Sequence, residues 1–131
     1  MPTLSGIDHV HIYVSDREQA ARWFKKVLGF EVIAALESWA TDGGPLTIGA
    51  AQSPIHLALF EKDEPTPASV VAFGASGEQF LEWQLHLAQQ GLAVRCADHD
   101  LAWSLYFQDP WENLYEITTY DYDQVRAALP N

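Results

Sequence analysis

Cys96 is the only cysteine in the chain. An intramolecular disulfide is therefore impossible, and a zinc site built from several thiolates is excluded. Basic residues are also scarce, 7 Lys and Arg against 18 Asp and Glu, for a formal net charge of -11. Such a charge repels nucleic-acid phosphates and anionic membrane surfaces, so neither is an expected partner. No apolar run approaches the ~20 residues a spanning helix needs. Met1 to Ser5 shows neither the basic nor the apolar part of a secretory signal. With one thiol and no leader, the expectation is a reduced, cytoplasmic protein. What is present is a globular composition of 131 residues, 48% hydrophobic and 12% aromatic. That suffices for one domain with a core.

The chain reads as one string of elements written twice. In Ile7 to Val14, Val10, Ile12 and Val14 alternate with His9, His11 and Tyr13, the period of a strand with one apolar face. A helix follows, capped by Asp16 with Gln19 three residues on and closed by Gly29. Ala20, Phe24, Val27 and Leu28 form its apolar stripe. Strands are expected over Phe30 to Leu36, Leu46 to Ala50 and Ile55 to Phe60. A linker over 63–68 holds Pro65 and Pro67. The second round predicts a strand over Val70 to Ala75 and a helix capped by Ser76 with Gln79 and closed by Gly91. Strands over Leu92 to Val94, Trp103 to Phe107 and Asn113 to Thr119 follow, the last two joined by Asp109-Pro110-Trp111-Glu112. A short helix is expected within 121–131. The caps stand 60 positions apart and the glycines 62. The fold class is therefore α+β, with two βαβββ modules over about 6–62 and 69–120 related by a pseudo-twofold.

Three polar residues fall mid-strand between apolar neighbours. His9 shares a face with His11 and Tyr13, His56 with Ala58 and Phe60, and Glu116 with Leu114 and Thr118. A carboxylate in a buried sheet is costly unless paired or metal-bound. Two imidazoles and one carboxylate are the ligands of the facial triad of non-haem Fe(II), and they also suit Mn, Ni or Zn. Three ligands leave positions open for a substrate. Each residue taken singly fits a hydrogen-bonded structural role as well. The repeat adds that His56 and Glu116 sit in corresponding strands, 60 positions apart like the caps. His9 corresponds to Ser69 or Val70.

From about Gly6 to Tyr120 the chain resembles the vicinal oxygen chelate superfamily, which includes glyoxalase I, extradiol dioxygenases, and fosfomycin- and bleomycin-resistance proteins. The matching pieces are Ile7-Asp8-His9-Val10 with Val14-Ser15-Asp16, then Trp23-Phe24-Lys25-Lys26-Val27-Leu28-Gly29-Phe30, then Leu105-Tyr106-Phe107-Gln108-Asp109-Pro110, and Asn113-Leu114-Tyr115-Glu116. The resemblance implies an open cup-shaped mixed sheet with ligands on the first and fourth strands of each module. On this chain those are His9, His56 and Glu116. The family's usual third ligand, a His or Gln, is Val70 here, with Ser69 beside it, which implies a site of two His and one Glu. The family's turn Asp-Pro-Asp-Gly-Asn is Asp109-Pro110-Trp111-Glu112-Asn113 here. The lost glycine predicts a different turn and an exposed Trp111 touching a partner chain.

Glyoxalase I must hold the carboxylates of glutathione, and fosfomycin resistance needs a basic phosphonate cradle. Arg17, Arg22, Lys25 and Lys26 lie on the first helix, and the cleft-facing strands supply almost no basic group. The implied function is a metal-dependent enzyme, ring-cleaving dioxygenase-like, on a small neutral or phenolic substrate. Its cofactor is a divalent metal (Fe, Mn, Ni or Zn). His11, Tyr13, His99 and Tyr106 are the candidates for moving protons. Beside that role stand a structural hydrogen bond for His11, packing for Tyr13 and Tyr106, and an exposed loop for His99. Trp39, Trp103 and Phe60 are candidates for an aromatic wall. Two other readings stay open. One is a metal-free acidic protein that sequesters a cationic drug, as bleomycin-resistance proteins do. The other is a glyoxalase-type lyase or isomerase. Two-module members usually form homodimers, some with swapped modules, so a homodimer is expected.

Overall fold

Local hydrogen bonds fix where both main helices begin. The Asp16 carboxylate accepts from the backbone N–H of Gln19 at 3.0 Å and starts α1 (Arg17–Leu28). The Ser76 hydroxyl accepts from the N–H of Gln79 at 3.2 Å and starts α2 (Gly77–Gln89). Each cap satisfies a donor that has no partner inside its helix. Beyond the helix ends, Gly29 and Gly91 turn the chain at φ 72° and 80°, left-handed values that a side chain would resist.

A computed structural model of the chain describes residues 1–50, 52–67 and 70–130. It divides into two compact units, Met1–Ala68 and Ser69–Asn131. Unit one runs β1 (Val10–Val14), α1, β2 (Phe30–Val32), a 3₁₀ helix (Ala34–Ala40), β3 (Leu46–Ala50) and β4 (His56–Glu61). Unit two runs β5 (Val71–Gly74), α2, β6 (Arg95–Asp98), β7 (Trp103–Gln108), β8 (Leu114–Thr119) and α3 (Tyr122–Ala128). The sheets have the orders β1-β4-β3-β2 and β5-β8-β7-β6. In each, the first strand lies parallel to the last and the other pairs are antiparallel. The fold is α+β, two four-stranded mixed sheets each built as βαβββ.

Alternation along the strands decides what faces the helices. Ile12 and Val14 on β1, Ile48 on β3, and Leu57 and Leu59 on β4 are buried with Phe24 and Val27 of α1. In unit two, Leu105, Phe107, Tyr115 and Ile117 are buried with Phe80 and Leu87 of α2. Each such side chain contributes about 1.5–3 kcal/mol by leaving water. The opposite face of β8, with Leu114, Glu116 and Thr118, stays half-buried.

The structure corrects several sequence expectations. β1 begins at Val10, so His9 precedes the ladder instead of lying within it. The strand expected to run to Leu36 stops at Val32, and Ala34–Ala40 coils into a 3₁₀ helix. The turn is set where Leu36 N–H bonds back to the Ile33 carbonyl at 2.9 Å, so no neighbouring strand can use that group. Leu92 to Val94 form no strand, and pairing starts only where Arg95 meets Tyr106. Glu112 adopts φ 68°, so the turn keeps a left-handed residue without its glycine. Trp111 is half-buried, not exposed. The parallel register sets Ala72 opposite Glu116, where the sequence took Ser69 or Val70 as the partner of His9. Ser69 lies outside the described residues.

Candidate functional site

Unit one gathers three imidazoles. His9, His11 and His56 line one cavity of about 310 Å³, with Trp39 and Phe60 among its walls. The register explains the gathering. Val10 pairs with Leu57, so His9 and His56 stand one step before that pair at the same end of β1 and β4. His9 Nδ1 is 2.8 Å from the Asp8 carboxylate, and its Nε2 is 3.1 Å from Nε2 of His11. One of these two nitrogens donates and the other accepts. The His11 ring also lies against Phe60, centroids 4.6 Å apart.

The wall of this cavity is pinned from α1. Arg17 turns its guanidinium away from solvent and donates to the carbonyls of Ala40 and Gly44. Its backbone N–H donates to Glu61 at 3.0 Å. These bonds hold the loop after the 3₁₀ helix, which carries Trp39 and leads into Pro45. The loop is tight. A Cβ at Gly44 would lie 1.9 Å from the Trp39 carbonyl oxygen, so only glycine fits there.

Unit two builds a different cluster. Glu116 faces Tyr106 across β8 and β7, and Ser104 faces Thr118. Ser104 donates to Glu116 Oε2 at 2.9 Å, and the Thr118 hydroxyl donates to the same oxygen. Burial pulls the Glu116 carboxyl upward. The bonds from Thr118, Ser104 and Tyr106, with the field of His99, outweigh it and hold the group below its usual range. Glu116 is thus kept ionised. His99 Nε2 lies 3.0 Å from the Tyr106 hydroxyl, which joins these two residues to the same cluster.

Sequence comparison agrees with this architecture. The sequence model of the Glyoxalase/Bleomycin resistance protein/Dioxygenase superfamily matches residues 6–117. The chain belongs to that superfamily. A search of curated proteins gives no match. Solved structures similar to this superfamily chain include a lactoylglutathione lyase from Agrobacterium tumefaciens. It is 18% identical, with TM-score 0.74, over 92% of this chain and 97% of that one. A glyoxalase family protein from Bacillus anthracis is 19% identical, with TM-score 0.71, over 92% and 98%. A fosfomycin resistance protein, FosX, from Listeria monocytogenes, solved with Mn(II) and sulfate, is 17% identical, with TM-score 0.68, over 96% and 98%. At these identities the likeness shows the fold alone.

The residues singled out from the sequence of this superfamily chain fall into two groups. Unit one holds His9, His11 and His56 on the cavity, with Tyr13 outside its lining. Tyr13 packs on Phe60, and Lys62 covers its ring at 4.2 Å. Unit two holds Glu116, Tyr106 and His99. Among the described residues no group of three or more His, Cys, Asp or Glu is arranged to hold a metal ion. Trp39 and Phe60 line the cavity as expected, but Trp103 does not. It stacks on Tyr122 and donates to that residue's carbonyl at 3.2 Å. Cys96 is half-buried, and its thiol is pushed up by burial and by the charge of Asp98. It is no activated nucleophile.

The sequence reading missed Ser104, Thr118 and Arg17. Thr118 stands two residues from Glu116 on the same face of β8, a spacing the sequence itself shows, whereas only the register of β7 on β8 brings Ser104 beside them. Arg17 could be placed on the first helix but not on the cavity wall, because helix periodicity says nothing about where a first-turn side chain folds back.

Proposed function

We propose that this chain is a metal-dependent enzyme acting on a small neutral or phenolic substrate, as ring-cleaving dioxygenases do. His9, His56 and Glu116 are the proposed ligands of a divalent metal (Fe, Mn, Ni or Zn). The observation that carries the reading is the convergence of imidazoles on one aromatic-walled cavity in unit one.

The donor chemistry suits such an ion. His9 and His56 line the same cavity, and imidazole nitrogens suit each of these metals. Glu116 is held ionised, the state in which a carboxylate ligates. A bound divalent metal supplies Lewis-acid polarisation of a substrate oxygen. Trp39 and Phe60 offer flat apolar surface on which a ring can pack. His11, beside His9, is the group proposed to move a proton at its Nε2. Tyr106, bonded to His99, is the corresponding candidate in unit two. Tyr13 keeps its place in the proposal only as a neighbour of Phe60.

The test is metal affinity and activity toward simple phenols in three proteins, wild type, His56→Ala and Glu116→Ala. Loss of roughly a hundredfold in metal affinity in each variant supports the ligand set. Unchanged affinity in both contradicts it.

The 57% exposed Trp39 at the cavity favours one second reading. In it, the acidic chain sequesters a cationic aromatic molecule without metal. Tight binding of a cationic acridine dye by metal-stripped protein, lost in Trp39→Ala, would support it. A glyoxalase-type lyase or isomerase gains no observation of its own. A homodimer remains proposed, to be checked by light scattering.

A further inference from the structure

Unit two has a cavity of its own, about 490 Å³, lined in part by Val94, Arg95, Tyr106, Gln108 and Leu114. That volume falls in the range of small-molecule sites. Arg95 on β6 pairs in register with Tyr106 on β7, and its guanidinium lies 4.4 Å from the centre of that ring. Stacking on the aromatic face orients the guanidinium and removes part of the rotamer freedom it would otherwise lose on binding a ligand. The chain has 18 Asp and Glu, yet no carboxylate among the described residues lies within ion-pair distance of Arg95. Its N–H fork therefore has no internal anion. Gln108, on the same face of β7 two residues from Tyr106, donates one N–H to the Glu112 carbonyl at 3.3 Å and has a second to offer. Val94 and Leu114 supply apolar surface beside these polar groups.

We propose that this cavity binds a small organic carboxylate, with Arg95 as its ion-pair donor and Gln108 as a neutral hydrogen-bond donor. A guanidinium matches a carboxylate with two parallel hydrogen bonds, which an ammonium cannot reproduce. The apolar walls favour an aryl or branched alkyl group on the acid. The net charge of -11 disfavours anions at long range. Arg95 is the local exception, fixed in place and unneutralised. The site rests on unit two alone and does not depend on the metal reading.

The experiment is calorimetric titration of the full-length, metal-stripped protein with sodium benzoate and with benzamide, its neutral isostere. It is repeated for Arg95→Gln and Arg95→Lys, with amide chemical shifts followed by NMR. Wild type is expected to prefer benzoate by about tenfold or more, since a hydrogen bond to a charged group contributes about 1.5–3 kcal/mol. Arg95→Gln should erase the preference, Arg95→Lys should restore part of it, and the shifts should fall on Arg95, Tyr106 and Gln108. Equal binding of the two probes overturns the proposal. So does a preference that survives Arg95→Gln, or shifts confined to unit one. Because Arg95 is exposed, the variants fold as the wild type does, and circular dichroism confirms it.

Discussion

Unit one carries imidazoles around a cavity, whereas unit two carries a carboxylate enclosed by hydroxyls. Both sheets have the same strand order and the same parallel pairing of first and last strands. His56 and Glu116 stand 60 positions apart on corresponding strands, each half-buried on the face away from the helix. The difference lies in what surrounds them. Opposite Glu116 is Tyr106, and two pairs along, on the same face, Ser104 faces Thr118. Opposite His56 is Gly49, and a Cβ there would lie 2.6 Å from the Ile55 carbonyl oxygen. Unit two therefore spends its neighbouring positions on holding a charge. Unit one leaves a space beside its polar side chains. A repeated fold fixes where functional side chains stand, and the neighbouring strands decide what surrounds them, hydroxyls that hold Glu116 ionised in unit two and a cavity beside His56 in unit one.

The largest predicted effect falls on the turn of unit two. The buried Asp109 carboxylate accepts from the N–H groups of Trp111 and Asn113, from the Asn113 amide and from the Tyr115 hydroxyl. Asp109→Ala removes the shared acceptor of these four bonds and should cost about 3 kcal/mol or more. Denaturant unfolding measures it, and a loss under about 1 kcal/mol would show that the turn is not a main support of unit two.

The corresponding support in unit one is Arg17. Arg17→Ala removes the bonds to Ala40 and Gly44, and because Arg17 is only half-buried the cost should be about 1–2 kcal/mol. Tryptophan fluorescence should report a displaced Trp39. An unchanged spectrum would separate the strap from the cavity wall.

These features show what a sequence can and cannot disclose. The caps Asp16 and Ser76 and the turns at Gly29 and Gly91 were legible because their hydrogen bonds close within three or four residues. The alternating strands were legible from the two-residue period of their side chains, although their hydrogen bonds go to strands distant in sequence. The 3₁₀ helix was not, since the apolar residues from Phe30 to Leu36 fit a strand until Leu36 bonds back to Ile33. The late start of β6 was hidden because pairing with Tyr106, not the sequence after Gly91, sets it. Of the candidate site, the residue types were readable and the neighbours were not. Ser104 beside Glu116 and the Arg95–Tyr106 stack each depend on cross-strand register.

Two smaller effects sharpen the same contrast. Glu112 holds φ 68° where the family's turn has glycine, at a steric cost of about 1–2 kcal/mol. Glu112→Gly should therefore raise unfolding stability by about 1 kcal/mol, less the entropy a glycine adds to the unfolded chain. A destabilised variant would show that the Glu112 side chain makes a compensating contact.

The smallest effect is a dependence on pH. The Glu116 carboxyl lies below its usual value in the folded chain. Its contribution is present above the ordinary glutamate range and lost as pH falls through the depressed value. Wild type should therefore lose stability relative to Glu116→Gln on acidification through that window. A constant difference between the two proteins across it would contradict the internal hydroxyl cage.

The account turns on whether the imidazole cavity of unit one belongs to a metal-dependent enzyme. The direct measurement is the metal content of untagged wild-type protein after equilibrium dialysis against Fe(II), Mn(II), Ni(II) and Zn(II) in turn. The account predicts one equivalent of at least one of these metals per chain, lost in His56→Ala. Wild-type protein that retains no stoichiometric amount of any of the four would contradict it.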